Sequence, residues 1–150
     1  MDARQRIKTD ESRLIHRETT RLVIRAFYDV YNGLGTGFLE HVYENALVVS
    51  LRGMGVDVVQ QGRVDVFFRG VVVGEYRADL LIPGKVVLEI KARQELAPIH
   101  DAQLINYLKA TSIPVGMLLN FGPRPAIRRR ILANRLIGSY PGKSVVDEDL

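Results

Sequence analysis

The chain has 150 residues, of which 47% are hydrophobic and 25% charged, with a net charge of +4 and no cysteine. This size and composition describe one globular domain, too apolar for a disordered chain and long enough to fold without staples. Zero cysteine excludes disulfides, thiolate zinc sites, iron–sulfur clusters and cysteine nucleophiles, and fits a cytoplasmic location. No run approaches the ~18 apolar residues of a membrane span, and the charged first twenty residues hold no apolar signal core. The mild positive charge favours a polyanionic partner only weakly.

In chain order, a polar, frayed lead of about eleven residues precedes a helix over Ser12–Tyr31. Ser12 is its N-cap, and Ile15, Leu22, Val23, Ala26, Phe27 and Val30 recur at helical spacing. Asn32 to Gly37 breaks the pattern. A second helix over Phe38–Gly53 follows, with an apolar arc of Leu39, Val42, Tyr43, Ala46, Leu47 and Val49. The period then drops to that of strands over Val56–Gln61, Val64–Phe68 and Val71–Val73, with a tight turn at Arg69-Gly70. Glu75–Ile82 and Val86–Ala92 are further strands joined by Pro83-Gly84-Lys85. His100–Thr111 is helical, and Pro114–Phe121 is a short strand apolar enough to be buried on both faces. The residues Ile127–Leu132 fit a strand or a helix equally. The order α-α-β-β-β-β-α-β describes an α/β fold, a mixed sheet flanked by helices. One domain spans 1–150, with a core over about 12–132 and a peripheral tail over 133–150.

The chemistry concentrates in the hairpin Arg77–Lys91. With Gly84 at the centre of the turn, facing residues sum to 168, so Asp79 faces Glu89 and Arg77 faces Lys91. The even positions Ala78, Leu80, Ile82, Val86, Leu88 and Ile90 are then all apolar, whereas an odd sum would mix polar and apolar residues on both faces. This places two carboxylates ~4.5–5.5 Å apart at Cβ with a lysine beside them. Like charges so close call for a cation between them, and Mg²⁺ or Mn²⁺ is the natural occupant. Lys91 could then orient the attacking water or offset charge on a phosphate. The alternative is a salt-bridged, solvated sheet face.

Glu40 opens the second helix at the edge of its apolar arc, and an acid complementing the helix dipole would also stand there. Glu44 lies further round and is expected in solvent. Gln103 and Tyr107, four apart, share one face of the third helix beside Leu104 and Leu108. The run Gly33-x-Gly35-x-Gly37 follows no strand and lacks the Lys-Ser/Thr of a phosphate loop, so it is a helix connection needing positive φ. His16, His41 and His100 have no metal spacing, and His100 is placed to cap the third helix. Arg124, Arg128, Arg129, Arg130 and Arg135 are expected on a solvated basic face, which would contact phosphates if it flanked the cleft.

Gly37-x-x-Glu40-x-x-Tyr43, Glu75-Tyr-Arg-Ala-Asp-Leu-Leu81, Leu88-Glu-Ile-Lys-Ala92, Gln103 to Thr111 and Leu119-Asn-Phe-Gly122 together resemble the GxxExxY family, over about Leu22 to Arg130. That family resembles the PD-(D/E)XK nuclease superfamily. The resemblance implies a restriction-endonuclease-like core, with Asp79 and Glu89-x-Lys91 as metal- and water-handling residues. It implies Glu40 as the acid of the N-terminal core helix, and Gln103-x-x-x-Tyr107 is similar to the helical motif of RecB-like nucleases. Ala78 stands where the motif's proline would be, and the missing cysteines exclude the iron–sulfur branch.

The expected function is a Mg²⁺- or Mn²⁺-dependent nuclease cutting DNA by in-line water attack. Asp79, Glu89, Glu40 and the Ile90 carbonyl would be its metal ligands, Lys91 would handle water, and Gln103 and Tyr107 would orient lysine or phosphate. The alternative is a catalytically silent nuclease-fold module that binds nucleic acid or a protein. A homodimer or a protein partner would supply the recognition surface that a short chain has little room for.

Overall fold

A computed structural model describes residues 15–132 and 145–149, the last five by backbone alone. The expected N-cap Ser12, the frayed lead and Arg135 lie outside the described residues. The first helix, α1, runs Arg17–Leu34, and α2 runs Glu40–Gly53. They are joined through Gly35 and Gly37, both at positive φ (71° and 102°), as the glycine run requires.

Strands β1 (Val59–Phe68), β2 (Val71–Ile82) and β3 (Val86–Lys91) follow, then α3 (Pro98–Thr111), β4 (Val115–Asn120), β5 (Ala126–Leu132) and β6 (Val145–Asp149). The three short runs expected over 56–73 are in fact one long ribbon. Arg69 and Gly70, at φ 49° and 77°, form a two-residue turn of the type that matches strand twist. The six strands lie in sequence order, and every neighbouring pair is antiparallel except β3–β4. The parallel pair needs a crossover, which α3 provides. The sheet is therefore mixed and flanked by helices, as expected. The tail contributes edge strand β6.

The core has two layers. On one face α1 and α2 pack through Val23, Phe27, Tyr43, Leu47 and Leu51 onto Leu80, Leu88, Ile90, Met117 and Phe121. On the other, α3 packs through Leu104 and Leu108 onto Val64, Val87 and Leu118. Gly116 lets α3 approach, since a Cβ there would lie 2.7 Å from the Leu104 side chain. All of β4 is buried, as a strand covered on both sides must be.

Two expectations need correction. The buried arc of α2 is Tyr43, Glu44, Leu47, Val48 and Leu51, while Leu39 and Val49 are exposed. Those positions continue the lines 43-47-51 and 44-48, one residue round from the expected arc. The basic face holds at exposed Arg124 but fails beyond it: Ala126–Leu132 is a strand in which Arg129 and Arg130 are buried. Arg128 and Arg130 reach Asp101 on α3 at 2.6 and 2.9 Å, and Arg129 donates to the Ile15 carbonyl. These arginines tie elements together. No described helix is long and apolar enough to cross a membrane.

Candidate active site

The β2–β3 turn is built by Pro83 and Gly84, with Lys85 N–H donating to the Ile82 carbonyl at 2.9 Å and Gly84 at φ 71°. It sets the facing pairs Ile82–Val86, Leu81–Val87 and Leu80–Leu88, each summing to 168. The six even residues are all buried, but only Leu80, Ile82, Val86, Leu88 and Ile90 share the expected core face, with Ala78 on the other. The ladder stops at Leu80–Leu88. Asp79 and Glu89, next in line, are not joined by the main chain. Asp79 Oδ2 instead accepts the Ile90 N–H at 2.8 Å, so a carboxylate takes the place of a backbone carbonyl. The side-chain alternation slips at the same point. Leu80 and Ile82 pack under α1 and α2, whereas Ala78, Tyr76 and Leu81 pack under α3. Opposite this slip Gln61 is left-handed at φ 54°, an uncommon conformation outside glycine.

Glu89 and Glu44 each lie within electrostatic reach of Asp79. Glu89 is 7% exposed, and its Oε1 is buried with no hydrogen-bond partner. Burial, then the charge of Asp79 and a hydrogen bond with it, push the Glu89 carboxyl up to about 9, with Lys91 opposing. Glu44 is equally buried but fully engaged. Gln60 donates to its Oε2 and Gln61 to its Oε1, both at 2.6 Å. Gln61 also reaches Asp79 Oδ1 at 3.5 Å. Burial raises the Glu44 carboxyl; the two glutamine amides pull it back, while the charge of Asp79 raises it further. Glu44 is therefore the buried α2 acid beside Asp79, not the solvated residue its helical position suggested. Glu40, one turn earlier, is exposed and within electrostatic reach of His100.

Lys91 ends β3, half-buried, in electrostatic reach of Glu89 and His100. Its backbone is held firmly. Phe121 N–H donates to the Lys91 carbonyl at 2.8 Å. The Asn120 side chain, 1% exposed, takes the Arg93 N–H and donates to the Arg93 carbonyl, each at 2.9 Å. A Cβ at Gly122 would fall on that same carbonyl. Tyr43 stacks on Phe121 (4.4 Å, 7°), and its hydroxyl donates to the Gly35 carbonyl and accepts the Phe38 N–H. The Gly37-x-x-Glu40-x-x-Tyr43 and Leu119-Asn-Phe-Gly122 stretches thus meet behind the lysine.

On the α3 side, Tyr107 stacks on Tyr76 at 3.9 Å and 17°. Burial and the charge of Glu89 raise both phenols, and the Tyr76 hydroxyl is buried without a partner. Gln103 is exposed on the same helix face. His100 accepts the Ala97 N–H at Nδ1 and so closes the start of α3, the capping role expected of it. The structure thus groups Asp79, Glu89, Lys91 and Tyr107, and leaves Glu40 and Gln103 at the solvent rim. It engages the amide of Ile90 with Asp79. Glu44, Gln61, Tyr76 and Asn120 were missed by sequence reasoning. The one local signal was Asn120, a polar residue inside an apolar strand.

Among the described residues, no three His, Asp or Glu side chains are gathered to hold a metal. The pair Asp79 and Glu89 still fits a small divalent cation. A buried carboxylate oxygen without a donor, beside a second carboxylate, is what such an ion satisfies, with water and substrate oxygens completing its shell.

A family model described as the PD-(D/E)XK nuclease superfamily matches residues 17–131. No curated protein matches the chain. A solved structure described as "Crystal structure of SSO0001" is 25% identical, with a TM-score of 0.46, and the match covers 76% of this chain and 58% of that one.

Proposed function

Since the chain belongs to the PD-(D/E)XK nuclease superfamily, we propose that it is a Mg²⁺- or Mn²⁺-dependent nuclease that hydrolyses DNA phosphodiester bonds by in-line attack of water. Within the superfamily we assign it to the RecB-like, GxxExxY type. The observation that carries the reading is the orphaned Oε1 of buried Glu89 beside Asp79. Asp79 and Glu89 would hold the ion, with the Ile90 carbonyl as a further donor. A bound divalent ion supplies an acidified water and offsets charge on the phosphate oxygens.

The protein's own groups do the rest. Without metal, burial and the charge of Asp79 keep a proton on Glu89 at neutral pH. Binding of the ion requires that proton to leave. The Lys91 ammonium, on a strand end whose backbone carbonyl takes the Phe121 N–H, donates to the attacking water or to a non-bridging phosphate oxygen. As the water oxygen bonds phosphorus and gives up a proton to solvent, the bond to the leaving sugar oxygen breaks and that oxygen takes a proton from solvent. Tyr107 borders the pair from α3, and Gln103 and Glu40 at the rim face the approaching backbone.

The test is nicking of supercoiled plasmid, and of single-stranded and branched DNA, with Mg²⁺ or Mn²⁺. Wild type should cut, and Asp79→Ala and Lys91→Ala should each lose at least about 100-fold, the usual effect of removing a group that stabilises developing charge. Cutting by wild type no better than by the two variants would sink the enzymatic reading and leave a binding module.

A further inference from the structure

Strand β2 carries Asp79 at a break in both of its ladders. On one side the pairing with β3 stops at Leu80–Leu88. On the other, β1 pairs Gln60 with Leu80 and Gly62 with Ala78, and the ladder skips the residues between them, Gln61 and Asp79. Gln61 stands there at φ 54°. A left-handed glutamine is uncommon, because its Cβ crowds the following carbonyl, and it persists only where its surroundings hold it. Two neighbours hold this one. Arg77 Nη1 donates to the Gln61 carbonyl at 3.2 Å, in place of a strand partner. Gly62 is bare where a Cβ would fall on the Leu81 side chain, and the ladder resumes there.

We propose that Gln61 is a positioning residue for Asp79: its side-chain amide, turned onto two acids by the break in β1, sets the carboxylate that meets the cation. The proposal rests on the reading of Asp79 and Glu89 as the cation centre. An amide nitrogen carries two hydrogens. That of Gln61 lies 2.6 Å from Glu44 Oε1 and 3.5 Å from Asp79 Oδ1, so one group spans both acids. The shorter bond anchors the amide to α2. The longer one restrains Asp79, whose other oxygen accepts the Ile90 N–H at 2.8 Å. Both Asp79 oxygens are thereby directed, one from β1 and one from β3, and each keeps a lone pair for an ion. Gln60 marks the contrast. Its amide goes to Glu44 Oε2 and Asn45 Oδ1, both at 2.6 Å and both on α2. A glutamine that only supported Glu44 would act as Gln60 does. One that also holds a ligating carboxylate acts on cation affinity.

The experiment compares Gln61→Gly, Gln61→Met and Gln60→Ala in the full chain. Glycine keeps the left-handed backbone and removes the amide, while methionine keeps the length and removes the donor. Two quantities are read: Mn²⁺ affinity by calorimetry at pH 7, and hydrogen exchange of the Ile90 amide without metal. Both Gln61 variants should bind Mn²⁺ at least about tenfold more weakly, the usual effect of losing a partner of a ligating carboxylate. Their Ile90 amide should exchange at least about tenfold faster, because the Asp79 oxygen it donates to is less restrained. Gln60→Ala, which also costs Glu44 a donor, should match wild type in both. Mn²⁺ affinity or Ile90 exchange left unchanged in the Gln61 variants overturns the proposal. So does an equal effect of Gln60→Ala, which would make both amides supports of Glu44 alone. An effect of glycine without one of methionine would assign the role to the backbone break, and also overturns it. A wild type that binds no Mn²⁺ removes the cation centre, and the metal-free exchange then decides for or against Gln61 by itself.

Discussion

Glu44 and Glu89 are both 7% exposed, and both carboxyls are raised by burial and by the charge of Asp79, but they differ in their hydrogen bonds. Glu44 faces β1, where Gln60 and Gln61 donate to both of its oxygens. Glu89 faces α3, where its neighbours are two phenols and one of its oxygens has no donor at all. Burial of a carboxylate is tolerated once its hydrogen bonds are made, so Glu44 reads as architecture. A buried carboxylate left short of a donor is a standing cost, and a site that gains a cation removes it. The unmet bond, more than the burial, marks the functional side.

The largest test of this contrast is catalytic. Glu89→Gln should reduce nicking by at least about 100-fold, as expected for a lost cation ligand, whereas Glu44→Gln should retain most of the activity of whatever fraction folds. Loss of activity in both to the same degree, with both folded, would erase the distinction.

A second test reads stability against pH without metal. Glu89 has a folded value of about 9 against an ordinary 4.5, so the fold disfavours its charged form. Its contribution is intact below about 4.5, and stability is lost progressively as pH rises towards 9. The metal-free melting temperature should fall over that window. Glu89→Gln should flatten the slope, and Mn²⁺ should raise the melting temperature more at pH 8 than at pH 5.5. A slope that Glu89→Gln leaves unchanged would assign it to other groups.

Next in size come the residues that hold the backbone at Arg93, two residues past Lys91. Gly122→Ala drives a methyl into the Arg93 carbonyl and should cost about 1–3 kcal/mol, as overpacking does, with a loss of activity although Lys91 itself is untouched. Asn120→Ala leaves two Arg93 backbone groups without partners, at about 1–3 kcal/mol. Denaturant melts set beside nicking rates separate the effect on fold from the effect on the lysine. The smallest effect belongs to Gln103→Ala. At an exposed helical position it should stay within about 0.5 kcal/mol in stability, so any fall in activity would report contact with DNA.

The hairpin was legible because its signals are local. Pro83-Gly84 dictates the turn, and six apolar even positions permit one register. What happens beyond Leu80 was not legible, because Asp79 leaves the ladder to bind the Ile90 amide, a choice made by geometry and not by alternation. Glu44 was misplaced because its partners come from β1, sixteen and seventeen residues away, where helical periodicity has nothing to say. β5 could not be told from a helix for the same reason. Arg128 and Arg130 hide its alternation, and the acid that neutralises them, Asp101, stands on α3. Polar residues in buried runs are read correctly only with their long-range partners.

The most direct test of the central claim is calorimetric titration of the full chain with Mn²⁺ at pH 7, in two buffers of different ionisation heat. Binding that releases about one proton, and is abolished by Glu89→Gln but kept by Glu44→Gln, is the expected result. Absence of binding by wild type, or binding that survives Glu89→Gln unchanged, would contradict a cation centre at Asp79 and Glu89.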